Sequence, residues 1–255
     1  MDIDLHCHAK LSKGSSFNIK HFLKIKKSAL RNGLQAIALT EHFDTNRFTE
    51  IYEVLEQHYQ YQNDYFNIEG LKVFCGMEVD IKEGGHVLLI GKREDVLSLH
   101  KELSPFLAGN TYPSLEYLTE EANKREMIKI GAHPLRNDNP LGKLPDTLLK
   151  KLDFLELNGK DIKKSSCVFQ LAERLDLPVV AGSDTHLWLQ VGCVRNRLDK
   201  DCTTVSQIKA ALEEGKYDTC ITSGINIKLS CAKIAKKILK KLSARNRTDV
   251  FNHNN

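Results

Sequence analysis

Short runs of apolar and β-branched residues alternate with longer segments that carry apolar residues on one face only. The short runs are typical of buried strands, and the longer segments are typical of amphipathic helices. The predicted strands cover residues 3–6, 36–40, 72–79, 86–90, 128–132, 154–157, 179–182 and, last, 219–222. The predicted helices cover residues 19–32, 48–61, 114–126, 165–175 and 205–214. Gly33 and Gly215 follow two of these helices, as expected of residues that end a helix.

This alternation of strand and helix predicts parallel strands joined by right-handed crossovers. About seven strand–helix units within roughly 220 residues favour a barrel, although an open sheet has the same pattern. The segment 137–146, with its prolines and glycine, is a predicted loop. Because neither an internal repeat nor an interdomain linker is evident, we expect a single α/β domain over residues 1–225.

Composition places the chain among globular proteins. Of its 255 residues, 41% are hydrophobic and 27% are charged, which excludes a disordered chain. The acidic start does not have the pattern of a signal peptide, and no apolar run reaches the roughly 18 residues of a membrane span. The seven cysteines include no C-x-x-C pair, which argues against a disulfide framework or a zinc finger. We therefore expect a cytoplasmic protein.

Basic residues are concentrated near the end of the chain. The formal net charge is +4, yet residues 228–249 carry eight Lys and Arg side chains against a single acid. Apolar residues at Leu229, Ile234, Ile238 and Leu242 predict a helix with one apolar stripe. We expect residues 226–255 to form a basic C-terminal helix, packed on the barrel or extending from it, and a disordered tail. Its lysine face is either solvated or a contact for nucleic acid or an anionic membrane.

Side chains that can bind metals gather at the ends of the predicted strands. His6 and His8 form an H-x-H pair in which residues i and i+2 share one face, roughly 6.6 Å apart. The carboxylate Glu78 lies at the end of a later strand, and Asp184 follows another. Six of the ten histidines lie at a strand end or at the turn before a strand: His6, His8, His42, His86, His133 and His186.

Each of these residues alone has a structural explanation. An H-x-H pair is common at strand ends, His42 could follow a helix cap, and Asp184 could form an Asx turn. In a barrel of parallel strands, however, all carboxyl ends meet on one face, so this many ligands from separate strands predict a metal cluster. The remaining histidines fall in helical stretches, where a surface position is expected, or in the tail: His21, His58, His100 and His253.

The predicted cluster suits hydrolysis at phosphorus. Imidazole nitrogens and carboxylate oxygens bind zinc, manganese and iron, with magnesium as an alternative. Two ions that share a carboxylate lie about 3.5–4 Å apart and hold a water between them. They lower the pKa of that water toward about 7, and the bridging hydroxide attacks phosphorus in line. No G-x-S-x-G motif for a serine nucleophile is present, and Cys7 is expected to pack in the barrel wall.

The same motifs resemble those of the polymerase and histidinol phosphatase (PHP) family, in the same order, between residues 2 and 190. They are Asp4-Leu5-His6-Cys7-His8, Thr40-Glu41-His42, Gly76-Met77-Glu78, His86, Ala132-His133-Pro134 and Gly182-Ser183-Asp184-Thr185-His186. The resemblance implies a distorted (β/α)7 TIM-like barrel that holds two or three divalent metal ions and hydrolyses phosphate esters.

Three ligand sets are implied by the resemblance, position by position. They are His6, His8, Glu78 and Asp184 for the first ion, Glu78, His86 and His133 for the second, and His42 and His186 for the third.

The chain departs from the family pattern after the H-x-H pair. Family members often supply a further ligand there from the aspartate of a Ser-Asp-Gly sequence, whereas this chain has Ser12-Lys13-Gly14. A protonated lysine cannot bind a metal ion. The third site is therefore weaker, or empty, or Lys13 has another role such as binding a substrate phosphate oxygen.

Other side chains near the strand ends are candidates for supporting roles. Arg136 and Arg195 could bind a phosphate, or could be ordinary surface arginines. Glu41 and Asn158 could orient the ligands. Asp184 and His186 are candidates for the general acid if metal binding does not engage them fully.

These observations favour a phosphomonoesterase that acts on a small phosphorylated metabolite or nucleotide. Three alternatives are kept: a nuclease-type phosphodiesterase, an amidohydrolase-like hydrolase of C–N or C–O bonds, and a non-catalytic module with a partly eroded site. Nucleic acid is a candidate partner through the basic C-terminal helix.

Overall fold

The computed structural model describes residues 1–136 and 141–252. The strands are β1 (Asp2–Cys7), β2 (Ala36–His42), β3 (Tyr61–Gln62), β4 (Tyr65–Ile68), β5 (Leu71–Asp80), β6 (His86–Gly91), β7 (Ile128–Ala132), β8 (Phe154–Asn158), β9 (Val179–Gly182), β10 (Val194–Leu198) and β11 (Tyr217–Ile221). The α-helices are α1 (Ile19–Arg31), α2 (Phe48–His58), α3 (Arg93–Glu102), α4 (Ser104–Ala108), α5 (Leu115–Lys124), α6 (Asp146–Leu149), α7 (Ser165–Leu175), α8 (Val205–Glu213) and α9 (Ile225–Asn252). Short 3-10 helices cover Leu141–Lys143 and Gly159–Lys164.

The strands form one sheet in the order β11-β10-β1-β2-β5-β6-β7-β8-β9, with β3 and β4 as a hairpin beside β5. β9, at one end of this order, returns to β1, because the His8 N–H just after β1 donates to the Thr185 carbonyl just after β9 over 2.8 Å. The sheet is therefore a nearly closed barrel, which confirms the predicted single-domain α/β barrel.

The prediction that the strands run parallel is wrong at β6, and the antiparallel strand β10 was not predicted. β6 pairs antiparallel with both β5 and β7, and β10 pairs antiparallel with β1. Only a tight turn through Gly84 and Gly85, which have φ values of 88° and 113°, separates β5 from β6. Parallel strands need a crossover of a dozen or more residues, so this short connection allows only a hairpin.

Most of the predicted helices are confirmed, with ends shifted by up to three residues. Gly33 adopts a φ of 81° after α1, as expected, and the Ser114 side chain caps α5 by accepting from the Tyr117 N–H. The predicted helix 48–61 ends earlier, because its last residues begin β3. The sequence prediction missed α3 and α4. The predicted loop residues 137–140, like His253, lie outside the described residues.

One face of each strand packs under the helices, and the other fills the barrel. On β5, Cys75 and Met77 belong to the outer apolar cluster, whereas Phe74 belongs to the inner one. The alternation continues inward through Glu78 and Asp80 at the carboxyl end of the same strand. The interior of the barrel is thus polar at the end where β5 finishes and apolar at the opposite end.

The antiparallel β6 does not disturb this arrangement. Its first residue, His86, pairs with Asp80 on one side and Ala132 on the other. The start of β6 therefore lies beside the ends of β5 and β7, and His86 reaches the same end of the barrel as the residues that close the parallel strands.

Candidate metal centre

All eight side chains predicted as metal ligands lie together at one end of the barrel. Two come from β1 and the residue after it, one each from the ends of β2 and β5, one from the start of β6, one from just after β7, and two from the loop after β9. They are His6, His8, His42, Glu78, His86, His133, Asp184 and His186. Residues that are far apart in the sequence, from His6 to His186, therefore form one cluster.

Glu78 occupies the centre of this cluster and is buried. Its Oε2 atom lies 3.0 Å from His42 Nδ1, and its Oε1 atom lies 3.0 Å from His133 Nε2. Ring nitrogens of five histidines lie within 3.5 Å of its two oxygens: His6, His8, His42, His86 and His133. One carboxylate thus faces two groups of imidazoles, which is the position of a ligand shared by two ions.

Several buried polar atoms in this cluster lack a hydrogen bond within the described residues. They are Glu78 Oε2, His42 Nδ1 and His86 Nδ1. In addition, the Nε2 atoms of His6 and His8 face each other at 3.1 Å. Buried polar groups are normally paired, so this group of unpaired nitrogens and oxygens fits divalent metal ions with mixed imidazole and carboxylate ligands.

Asp184 lies on the other side of His8. Its Oδ1 atom is 3.4 Å from His8 Nε2 and 3.3 Å from His186 Nδ1. Asp184 and His133 both adopt left-handed backbone conformations, with φ values of 52° and 31°. Such conformations are costly for residues other than glycine and concentrate at functional sites.

Gly182 allows β9 to approach the cluster. A Cβ atom at this position would clash with a Glu156 oxygen and with the His6 side chain. The glycine of the Gly182-Ser183-Asp184 motif is therefore required by the close contact between β9, β8 and β1.

Two carboxylates, Glu156 and Glu41, contact histidines of the cluster from outside. Glu156 Oε1 lies 2.8 Å from His6 Nδ1, and its Oε2 accepts from the His133 N–H over 2.7 Å. Glu41 Oε1 lies 3.4 Å from His8 Nδ1, as expected for an orienting residue. Partners of this kind fix the tautomer and the direction of a ligating histidine. The sequence analysis assigned no role to Glu156, although it closes a predicted strand.

Arg136 and Lys160 hold Asp184 from the solvent side. Arg136 donates to Asp184 over 2.9 Å, to Asp161 over 3.0 Å and to Asn158 over 2.9 Å. Lys160 Nζ lies 2.7 Å from Asp184 Oδ2. The sequence analysis identified Arg136 but missed Lys160, whose signal is its position two residues after the end of a strand.

Burial and neighbouring charges separate the protonation states of the cluster. Burial by itself raises the pKa of Glu78, but the charges of His42 and His6 outweigh it and hold this pKa well below its usual range. For His186, burial and the charge of His8 both act downward and hold the pKa well below its usual value. A neutral imidazole and an ionised carboxylate are the forms that bind metal ions.

Lys13 lies at the edge of the cluster. Its Nζ atom is 2.8 Å from Asp44 Oδ2 and 2.9 Å from Asp80 Oδ2. Burial lowers the pKa of Lys13, but the hydrogen bonds and charges of the two aspartates outweigh it, and the net shift is upward. Asp80 also contacts the cluster directly, because its Oδ1 atom lies 3.0 Å from His86 Nε2.

The surface positions expected for two helical histidines are wrong. His21 Nε2 lies 3.1 Å from the His186 carbonyl oxygen, and His100 stacks on Phe48 with ring centroids 4.2 Å apart. Both are partly buried, whereas His58 is exposed as expected.

Arg195 does not reach the cluster. It donates to Asp2 over 2.8 Å, at the start of β1, whereas the cluster lies at the other end of that strand.

A cavity of about 420 Å³ adjoins the cluster. Lys160 and Gln190 line it on the barrel side, and Gln190 Oε1 accepts from the His186 N–H over 3.2 Å. The other wall belongs to α9, through Leu229, Ser230, Ala232, Lys233 and Lys236. Helix α9 is held there by Ile225 and Leu229, which pack against residues of β9 and β10.

In the described part of the chain, no helix has the length and apolarity needed to span a bilayer.

Solved structures that share the fold of this chain include those of three proteins. PsfC from Pseudomonas syringae PB-5123 is 20% identical, with a TM-score of 0.80 over 93% of this chain and 98% of its own. Endonuclease Q from Pyrococcus furiosus is 23% identical, with a TM-score of 0.63, and this chain covers 57% of it. An amidohydrolase from Chromobacterium violaceum is 16% identical, with a TM-score of 0.54 over 98% of its length. At these identities the likeness concerns the fold.

Comparison with sequence families is more specific. No curated protein sequence matches the chain. The profile of the PHP domain family matches residues 4–151, and the profile of a PHP-associated family matches residues 168–217. The first match alone spans more than half of the chain and includes the H-x-H pair and Glu78. The chain therefore belongs to the PHP domain family.

Proposed function

We propose that this chain hydrolyses phosphate monoesters of a small phosphorylated metabolite or nucleotide at a centre of two divalent metal ions. The observation that carries the proposal is the position of Glu78, whose two oxygens face separate groups of imidazoles. A carboxylate in that position can bridge two ions, and two-ion centres are suited to in-line displacement at phosphorus.

The ligand sets are those that the family resemblance implies, and the distances between ligand atoms support them. The first ion would bind His6, His8, Glu78 and Asp184, and the second Glu78, His86 and His133. The ligand atoms of His6, His8 and Asp184, and those of Glu78, His86 and His133, form two compact groups, each with all atoms within 4.8 Å of one another. His42 and His186, the third set, lie beside His8, which the first ion already binds, so they supply only two further ligands and we propose no third ion on them. When bound, such ions supply Lewis-acid chemistry that activates a water and neutralises phosphate oxygens.

The protein positions the reactants. Glu156 and Glu41 hold the imidazoles of His6 and His8 in place, and Arg136 holds Asp184. Arg136 is thus a positioning residue, because all three of its guanidinium nitrogens donate to protein oxygens. Lys160 lies between Asp184 and the cavity and can donate to a substrate phosphate oxygen.

Asp184 and His186 are better suited to metal binding than to general-acid catalysis. Burial raises the pKa of Asp184, but Lys160, His186 and His8 outweigh it and hold this pKa well below its usual value. The pKa of His186 is also well below its usual value. Neither side chain therefore carries the proton that a general acid must donate at neutral pH.

The cavity favours a small anionic substrate. Its volume of about 420 Å³ is in the usual range for small-molecule sites. Lysines line both its barrel side and its α9 side, which suits a phosphorylated compound, and α9 bounds the space that a larger substrate would need.

A second candidate is a nuclease-type phosphodiesterase. The lysine-rich α9 beside the centre favours it, and endonuclease Q, which has the same fold, is known in complex with a 27-mer duplex that has an abasic lesion at the active site. A nuclease would use the α9 lysines as contacts to the phosphate backbone.

The experiment compares three chromogenic substrates on the Mn²⁺-loaded protein: p-nitrophenyl phosphate, bis(p-nitrophenyl) phosphate and p-nitrophenyl acetate. The monoester should be hydrolysed at least about tenfold faster than the diester, and the acetate should not be hydrolysed. The variant Asp184→Asn, purified in the same way, excludes a contaminating phosphatase. Faster diester cleavage would support the nuclease instead, and acetate cleavage the amidohydrolase. Fewer than two bound ions together with no turnover would indicate an eroded site.

A further inference from the structure

Lys13 lies between two carboxylates of different strands. Its ammonium is 2.8 Å from Asp44, after β2, and 2.9 Å from Asp80, at the end of β5. The backbone of Lys13 is also held, because its carbonyl accepts from the Thr45 hydroxyl over 2.9 Å and from the Asn46 N–H over 3.2 Å. The side chain is therefore anchored at both ends, although 37% of it remains exposed.

The two aspartates form part of a potential cation site. Ligand atoms of His42, Asp44 and Asp80 all lie within 4.8 Å of one another. A nitrogen and two carboxylates at that spacing can bind a divalent ion. In this chain the ammonium of Lys13 already contacts both carboxylates.

Asp80 connects Lys13 to the metal centre. Its Oδ1 atom is 3.0 Å from His86 Nε2, and His86 Nδ1 is 2.9 Å from Glu78 Oε1. An ammonium that fixes Asp80 therefore also fixes the ring of His86. Outer partners of this kind set the direction in which an imidazole presents its other nitrogen.

We infer that the Lys13 ammonium takes the place of a metal ion between Asp44 and Asp80, so that the centre binds two exchangeable divalent ions and not three. The inference rests on the proposed metal centre. Lys13 supplies a fixed positive charge that neutralises the two aspartates, and it cannot dissociate as a bound ion can. It is a positioning residue, which acts on the second ion through Asp80 and His86.

The test is the number of bound ions, with Mn²⁺ as the probe. The metal-free protein and its variants are incubated with excess Mn²⁺, passed through gel filtration and measured by elemental analysis. The wild type should hold two ions per chain. Lys13→Ala, which removes the charge and opens the space, should hold three, and so should Lys13→Asp, which adds a carboxylate. Lys13→Arg keeps the positive charge and should hold two.

The outcomes separate this inference from the proposed function. If the wild type, Lys13→Ala and Lys13→Asp all hold two ions, the role of Lys13 is overturned and the two-ion centre is left intact. Three ions in the wild type would also overturn it. A wild type with no bound ion would overturn the metal centre itself. Circular dichroism shows whether each variant is folded. Because Lys13→Ala and Lys13→Asp both remove the ammonium, the test remains decisive if one of them does not fold.

Discussion

Two groups of buried polar side chains lie in this barrel, and their hydrogen bonds differ. At the junction of β1, β9 and β10, Asp4 and Asn196 are both fully buried. Asp4 accepts from the backbone N–H groups of Ser183 over 3.0 Å and Gly192 over 2.9 Å. Asn196 exchanges two hydrogen bonds of 2.8 Å with the backbone of Ala181.

The metal centre has the opposite character. Glu78 is equally buried, but its Oε2 atom lacks a hydrogen-bond partner within the described residues, as do the Nδ1 atoms of His42 and His86. Backbone donors satisfy the first group, whereas the second consists of side chains aimed at one another. Buried polar residues that pair with the backbone therefore hold the fold together, whereas those left unpaired in a cluster are available to a ligand.

The largest effect is expected from Glu78→Gln, because an amide cannot bridge two ions. Turnover should fall by about a thousandfold or more, since each ion supplies several kcal/mol of transition-state stabilisation. The bound-metal content should fall with it, while the melting temperature of the metal-free protein should change little. His8→Ala and Asp184→Ala should likewise abolish turnover and leave the fold intact. A Glu78→Gln protein that keeps both ions would remove the distinction between the two polar groups.

Asn196→Ala should have the converse effect. It leaves the N–H and C=O groups of Ala181 buried without partners, at a cost of about 2–4 kcal/mol in the free energy of unfolding. Urea denaturation measures this loss. The number of bound ions should stay the same in the folded protein. Loss of metal without loss of stability would contradict the structural role of this residue.

The two groups should also respond to pH with opposite sign in the metal-free protein. Burial raises the pKa of Glu41, but the hydrogen bond and charge of His8, with the charges of His186 and His42, lower it from 4.5 to about 2. The stability that Glu41 provides is therefore complete above pH 4.5 and is lost as pH falls toward 2, an effect on the order of 2–3 kcal/mol. Burial outweighs the hydrogen bonds to Asp4 and raises its pKa above 3.8, so its contribution declines as pH rises through that range.

Glu41→Gln tests this difference. The gap in unfolding free energy between the wild type and Glu41→Gln should shrink as the pH of urea titrations is lowered from 6 to 2.5. If the difference in unfolding free energy stays constant with pH, the imidazoles of His8, His42 and His186 do not stabilise an ionised Glu41.

A smaller effect is expected from Arg136→Lys. The lysine keeps the charge but cannot donate to Asp184, Asp161 and Asn158 at once. Activity or metal affinity should fall about 10–100-fold, as is typical for partners that orient a ligand. Lys151→Arg, on an exposed ion pair with Glu116, is a matched control and should change neither. A normal metal affinity and turnover in Arg136→Lys would show that Asp184 needs no support.

The residues of the cluster could be predicted from the sequence because most of them lie at the end of a strand or just after it. His6, His42 and Asp184 each close a run of apolar residues, and the topology of a barrel brings such positions together. His86 was predicted as a ligand from the resemblance alone, and it lies at the same end of the barrel because β6 runs antiparallel and begins beside the end of β5.

Residues whose role depends on long-range pairing could not be predicted. Asn196 is buried only because β10 returns antiparallel beside β1, and nothing in the local sequence indicates that connection. Asp80 and Lys160 become important through contacts with Lys13 and Asp184 that no motif encodes. The sequence shows that Lys13 departs from the family pattern, but only the folded structure shows that it contacts Asp44 and Asp80.

The most direct measurement is anomalous X-ray diffraction from a crystal of the Mn²⁺-loaded protein. We predict two manganese peaks about 3.5–4 Å apart, one on each side of the Glu78 carboxylate. A single peak, two peaks that do not share Glu78, or no peak at this end of the barrel would contradict a two-ion centre bridged by Glu78.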